Sequence, residues 1–69
     1  MVQEVLIPLP AVCAQTSLSR SSIYALIKRN LFPRQIRLGA NRSSRWVASE
    51  IEAWVQKEIA SSRLNESQT

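Results

Sequence analysis

The 69-residue chain has no histidine and only one cysteine, one glycine and one methionine. Without histidine there is no imidazole base, no histidine pH switch and no ordinary zinc cluster. The lone Cys13 excludes an internal disulfide. Only five carboxylates are present, four of them after Val47, so paired acid–base or nucleophile–base machinery is missing too. The chain is therefore expected not to be an enzyme and to work without a cofactor or metal. Long hydrophobic runs are also absent. "VLIPLPAV" is apolar but short, and Pro8 and Pro10 interrupt it, so it neither spans a membrane nor acts as a leader. A reduced single thiol with no leader segment points to the cytoplasm.

What remains is one small domain, below the size at which a single core gives comfortable stability. Most apolar residues must then be core, and function must sit on the surface. The surface is uneven in charge. Met1 to Trp46 holds seven Lys and Arg against Glu4 alone, a net +6, whereas Val47 to Thr69 holds two cations against four glutamates, a net −2. Six of the seven cations are arginine, the side chain suited to forked contacts with phosphate and guanine. Solubility of a small basic domain is the competing reading of the same charges.

The apolar pattern predicts a short edge strand over Glu4 to Pro8 and a first helix carrying Leu9, Val12, Cys13 and Thr16 on one face. Ser17 to Ser19 leaves room only for a tight turn. Ser19 then caps a second helix whose inward stripe is Ile23, Leu26 and Ile27, continued by Leu31, and which stops near Arg29 or Asn30 before Pro33. Two helices joined by three residues read as a helix-turn-helix. Beyond Pro33 the period changes to two. Gln35 to Leu38 and Ser43 to Trp46 alternate, with Gly39, Ala40 and Asn41 supplying the turn, so this is a two-stranded wing. A third helix of about twelve residues, roughly 18 Å, opens at a Ser49–Glu52 capping box and buries Ile51, Trp54, Val55 and Ile59. Trp46, Trp54 and Cys13 are read as core. The expected fold is mostly α with a small β-hairpin, a winged helix-turn-helix: short N-terminal strand, helix-turn-helix, two-stranded wing, C-terminal helix. The domain covers residues 1–60, and the polar residues 61–69 are read as a disordered tail.

With Ile23, Leu26 and Ile27 inward, the second helix turns Arg20, Ser21, Tyr24, Ala25 and Lys28 outward. Such a stripe suits a major groove. Arg forks onto guanine, Ser and Tyr bond phosphate or base edges, and the Ala methyl meets a thymine methyl. The competing reading is a solvated face, weakened because the second helix of a helix-turn-helix usually enters the groove by its N-terminal end. Tyr24 is also expected to pack half-buried against the first helix. At the wing tip Arg42 can reach a phosphate or the minor groove, while Arg37 and Arg45 are expected to share one strand face beside the phosphates.

"TSLSRSSIY", "LFPRQIRLG" and "RSSRWVASEIEAWV" resemble, in order and spacing, the T-G-L-S-R-x-T-I-Y, F-P-x-x-x-x-L-G and R-x-x-x-W-x-x-x-E-I-x-x-W segments of the AlpA family of phage and prophage regulators. That family is related to the winged-helix domains of MerR proteins and excisionases, and the likeness runs from Leu9 to Val55. The resemblance implies a DNA-binding protein that controls prophage or mobile-element genes, with Arg20, Ser21, Ser22, Tyr24 and Lys28 on the helix and Arg42 on the wing contacting DNA. Together with Ser19, Ala25, Arg37 and Arg45, these make up the expected interface. In two places the chain departs from the pattern. Ser17 replaces the usual turn glycine, so it takes positive φ at a cost of about 1 kcal/mol or the turn differs. Ala25 stands where relatives often carry a basic or polar residue, so readout there is apolar or absent.

The reading is thus a sequence-specific regulator of integrase or excision genes. An excisionase that bends attachment-site DNA is the alternative, and a protein-interaction module with a basic face is the alternative of another class. Duplex DNA is the expected partner and no membrane is. A protein that is monomeric in solution, binds adjacent sites side by side, and meets integrase or RNA polymerase fits this role.

Overall fold

In the computed structural model, which describes residues 4–67, the chain runs β1 (Leu6–Ile7), α1 (Leu9–Thr16), α2 (Arg20–Lys28), β2 (Ile36–Leu38), β3 (Ser43–Val47) and α3 (Ala48–Ser67). Three helices and a three-stranded antiparallel sheet of order β1-β3-β2 make a mostly helical domain of winged-helix type. β1 is shorter than the five residues expected, and Pro8 ends it. It lies at the sheet edge, with Leu6 opposite Val47 and Ile7 opposite Trp46.

Local chemistry explains the helix-turn-helix. Pro10 sits in the first turn of α1, where an amide hydrogen would have no helical partner. At the other end the Thr16 hydroxyl donates to the Val12 carbonyl (2.8 Å) and Ser17 takes φ 62° while its amide donates to the Cys13 carbonyl (2.7 Å). Of the two options for Ser17, the chain adopts the left-handed one. Ser19 then caps α2, its hydroxyl oxygen accepting from the Ser22 amide at 3.1 Å. The helix ends with Asn30 at φ 61°, the Asn30 amide on the Ile27 carbonyl and the Leu31 amide on the Leu26 carbonyl. This is a Schellman closure.

The segment after α2 has no regular structure, so its carbonyls need other donors. Two indoles supply them. Trp54 Nε1 donates to the Leu31 carbonyl (2.9 Å) and Trp46 Nε1 to the Pro33 carbonyl (3.2 Å). Between them Phe32 is buried edge-on against Trp54, ring centroids 4.8 Å apart. Val12, Ile23, Phe32, Trp46 and Ile51 form the buried core, with Leu26, Ile27, Cys13, Trp54 and Val55 packed half-buried around it.

Several expectations need correction. Leu31 is 50 % exposed and Ile59 38 % exposed, because the Schellman turn carries Leu31 off the α2 stripe and the core ends one turn of α3 before Ile59. Cys13 and Trp54 are half-buried, not enclosed. Ser49 forms no capping box. α3 starts at Ala48 straight from β3, and the Ser49 hydroxyl instead donates to both carboxylate oxygens of Glu4, at 2.9 and 3.0 Å. That sets a negative charge beside the positive end of the helix dipole. Nor does the chain lose its helix at Ser61. No glycine or proline interrupts it, and Arg63 and Leu64 favour helix, so α3 continues to Ser67, twenty residues in all. Residues 68 and 69 of the expected tail lie outside the described residues.

Ser17, in the left-handed region, is the position in the turn between α1 and α2 where glycine would fit better. Ser17→Gly should raise stability by about 1 kcal/mol, moving the thermal midpoint up by roughly 4–8 °C. Circular-dichroism melting checks this, and an unchanged or lower midpoint would show that the turn carries no strain.

Candidate nucleic-acid interface

On α2 the residues at i, i+4 and i+8 from Arg20 fall on one side of the helix. Arg20, Ser21, Tyr24, Ala25 and Lys28 are all exposed, whereas Ile23 is buried and Leu26 and Ile27 are half-buried on the opposite side. The helix thus presents one continuous outer stripe with a cation near each end.

Ser19 and Ser22 belong to the same end but have a different duty. Besides the cap itself, the Ser19 hydroxyl donates to the Ser22 hydroxyl at 3.0 Å. Both hydroxyls are therefore engaged in starting the helix, and the first free amides of α2 open toward solvent beside them.

Tyr24 is 40 % exposed, and its ring meets the indole of Trp46 edge-on, centroids 6.3 Å apart and planes at 62°. It therefore packs against β3. That contact ties the outer stripe of α2 to the middle of the sheet.

The hairpin keeps the expected strands, but the positive φ falls on other turn residues than expected. Leu38 pairs with Ser43, leaving the four residues Gly39 to Arg42 in the turn, and the Arg42 amide donates to the Gly39 carbonyl at 3.1 Å. Gly39 (φ 68°) and Arg42 (φ 54°) take the left-handed conformations, and Ala40 and Asn41 do not. The register has a consequence for the cations. A three-residue turn pairs odd positions with odd, but a four-residue turn pairs odd with even, and one step of register reverses the face of every side chain on one strand. Arg37 lies opposite Ser44, and Arg45 opposite Ile36. Arg37 therefore projects on the Trp46 side of the sheet, the side where Tyr24 packs, and Arg45 projects on the other side. They share no strand face. Arg45 is also half-buried, its Nη1 donating to the Ser44 carbonyl at 2.8 Å.

Arg42 sits exposed at the tip in a conformation that costs a non-glycine residue about 1 kcal/mol. Arg37 thus lies on the same side of the sheet as the Tyr24–Trp46 contact, Arg45 on the opposite side, and Arg42 at the tip of the hairpin. One cation the sequence reading passed over is Arg34, in the connection before β2, whose Nη2 donates to the Asn30 side-chain oxygen at 2.9 Å. Its signal was an asparagine at a left-handed helix end with a cation four residues on, masked by the proline between them.

Chemically the surface offers exposed cations, hydroxyls and helix amides with no carboxylate among them. Among the described residues no group of three or more His, Cys, Asp or Glu could hold a metal ion, and no helix is long and apolar enough to cross a membrane.

Comparison with known proteins agrees in where it falls along the chain. The family model described as "Prophage CP4-57 regulatory protein (AlpA)" matches residues 6–59, from β1 to the middle of α3. An uncharacterized protein of Enterobacteria phage P4, ORF88, is 40% identical over 60 residues, covering 87% of this chain and 67% of that protein. No solved structure matches. With its helix-turn-helix, hairpin and third helix all inside the matched span, the chain belongs to the AlpA family of prophage regulatory proteins.

Proposed function

We propose that this protein binds duplex DNA in a sequence-specific way and regulates prophage or mobile-element genes, those for integration and excision first among them. The N-terminal half of α2 enters the major groove, with Arg20 and Ser21 at base edges and Tyr24 and Lys28 toward phosphate. Arg42 meets the backbone or the minor groove, Arg37 supports it, and Arg45 contributes through the general field only. The observation that carries this reading is the juxtaposition of two basic, acid-free surfaces, the outer stripe of α2 and the hairpin tip, fixed to each other by the Tyr24–Trp46 contact. Membership of a family of regulatory proteins supports it.

Salt decides between DNA and an acidic protein partner. With about four to six phosphate contacts, log affinity should fall against log salt with a slope of roughly −4 to −5, a loss of two to three orders of magnitude between about 50 and 200 mM. Fluorescence anisotropy on a labelled duplex measures it. No duplex binding at low salt would remove the DNA reading and favour the protein-interaction one.

Two substitutions separate reading from anchoring. Arg20→Ala should cost about 1–3 kcal/mol on the preferred site and relax the choice at one base step, as read by selection from a random duplex pool. Equal weakening on all sequences would reduce Arg20 to a phosphate contact. Arg42→Gly keeps the left-handed turn while deleting the charge. It should weaken all sequences alike and flatten the salt slope by about one without lowering thermal stability. An unchanged slope would take the hairpin tip out of the interface.

A further inference from the structure

Two apolar surfaces of this domain have no partner among the described residues. The first is the outer face of the sheet. The pairing places Leu6, Ile36, Leu38 and Val47 on the side away from Trp46, around Arg45 and Ser43 of the central strand, and Leu6, Ile36 and Leu38 are 37, 38 and 40 % exposed. Four apolar side chains to one cation and one hydroxyl is an apolar excess for a sheet face turned only to water, and Arg45 gives that face its positive charge. The second is a groove between the end of α2 and α3, with Leu18, Phe32 and Trp54 lining it, Leu31 at its lip, and Glu50 and Glu58 on its rim.

The two surfaces lie on either side of the Leu31 to Pro33 segment, whose carbonyls are held by Trp46 from the sheet and by Trp54 from α3. They cannot meet within one molecule. Their charges are complementary. Between Ile36 and Val47 the hairpin carries Arg37, Arg42 and Arg45 and no carboxylate, while Glu50 and Glu58 outnumber Lys57 around the groove. Two hairpins would repel each other, and so would two groove rims. A contact between copies must then be heterologous, one surface on the other, and such contacts propagate into rows instead of closing into a dimer. The outer stripe of α2 takes part in neither surface, so a row of copies leaves every α2 free to lie on the duplex.

We propose that copies of this chain bound at neighbouring DNA sites touch head to tail, the outer face of one copy's sheet seated in the acid-rimmed groove of the next. The proposal rests on the duplex-binding reading above. Each surface offers only a few apolar side chains, so the contact belongs to the small, transient class. It forms when the duplex holds two copies at high effective concentration, and not between free molecules.

The test measures binding to duplexes carrying one or two copies of a site selected from a random pool, with the spacing varied across one helical turn of about 10–11 base pairs. At one spacing the second copy should bind about 5- to 150-fold more tightly than the first. Leu31→Lys in the groove, or Ile36→Thr with Leu38→Thr on the sheet, should abolish that gain while single-site affinity stays within about twofold. An equal mixture of the two variants should recover part of the gain, because the Leu31→Lys copy still presents an intact sheet and its neighbour an intact groove. Equal affinity of wild-type protein at both sites for every spacing overturns the proposal. So does cooperativity that survives either variant, which would assign that surface to another protein, or a mixture that recovers nothing. Loss of single-site binding by wild-type protein is a different result, since it overturns the duplex-binding reading itself.

Discussion

Everything in this domain depends on one buried indole. Trp46 is fully enclosed at the centre of β3, with Ile7 of β1 as its cross-strand neighbour. Its ring meets Tyr24 of α2, and its Nε1 holds the Pro33 carbonyl of the segment that leads into β2. Two residues later the chain is already α3, locked by the Ala48 amide on the Val5 carbonyl at 2.7 Å. Removing a buried tryptophan side chain costs about 3–5 kcal/mol, a large part of what a domain of this size possesses.

The same contact links stability to function. A short helix and a hairpin turn can recognise a long polyanion only if their relative position is fixed before binding, since ordering them at that moment would weaken affinity. Here the Tyr24–Trp46 contact, the Schellman closure at Asn30 and the two indole hydrogen bonds fix it. Apart from Tyr24, the outer stripe of α2 stays out of the core and is free to carry Arg20, Ser21, Ala25 and Lys28. The strain at Ser17 and Arg42 sits in the two turns that aim α2 and the hairpin.

Much of this was legible in the sequence because local signals and apolar period agree. Ser19 with its three-residue turn, the Leu9–Val12–Cys13–Thr16 and Ile23–Leu26–Ile27 stripes, and the break at Asn30 to Pro33 define the helix-turn-helix without any tertiary information. The errors lie where an outcome depends on something outside the local window. Arg37 and Arg45 both sit at alternating strand positions, but the faces they take depend on how the two strands pair, and the pairing of Leu38 with Ser43 sends them to opposite faces. Ser49 had the pattern of a cap, yet β3 runs straight into α3 and leaves it no capping position. The polar stretch after Ser61 lacked a buried face, but an established helix with no breaker simply continues in water.

The central claim is that the outer stripe of α2 and the hairpin tip form a single DNA-binding surface. Amide chemical shifts of the labelled protein, followed while its selected duplex is added, test it most directly. The account predicts that the large shifts fall on residues 19–28 and on the Gly39 to Arg42 turn, while residues 58–64 of α3 stay unchanged at single occupancy. Shifts confined to α3 and the groove beside Trp54, with α2 unmoved, would contradict it.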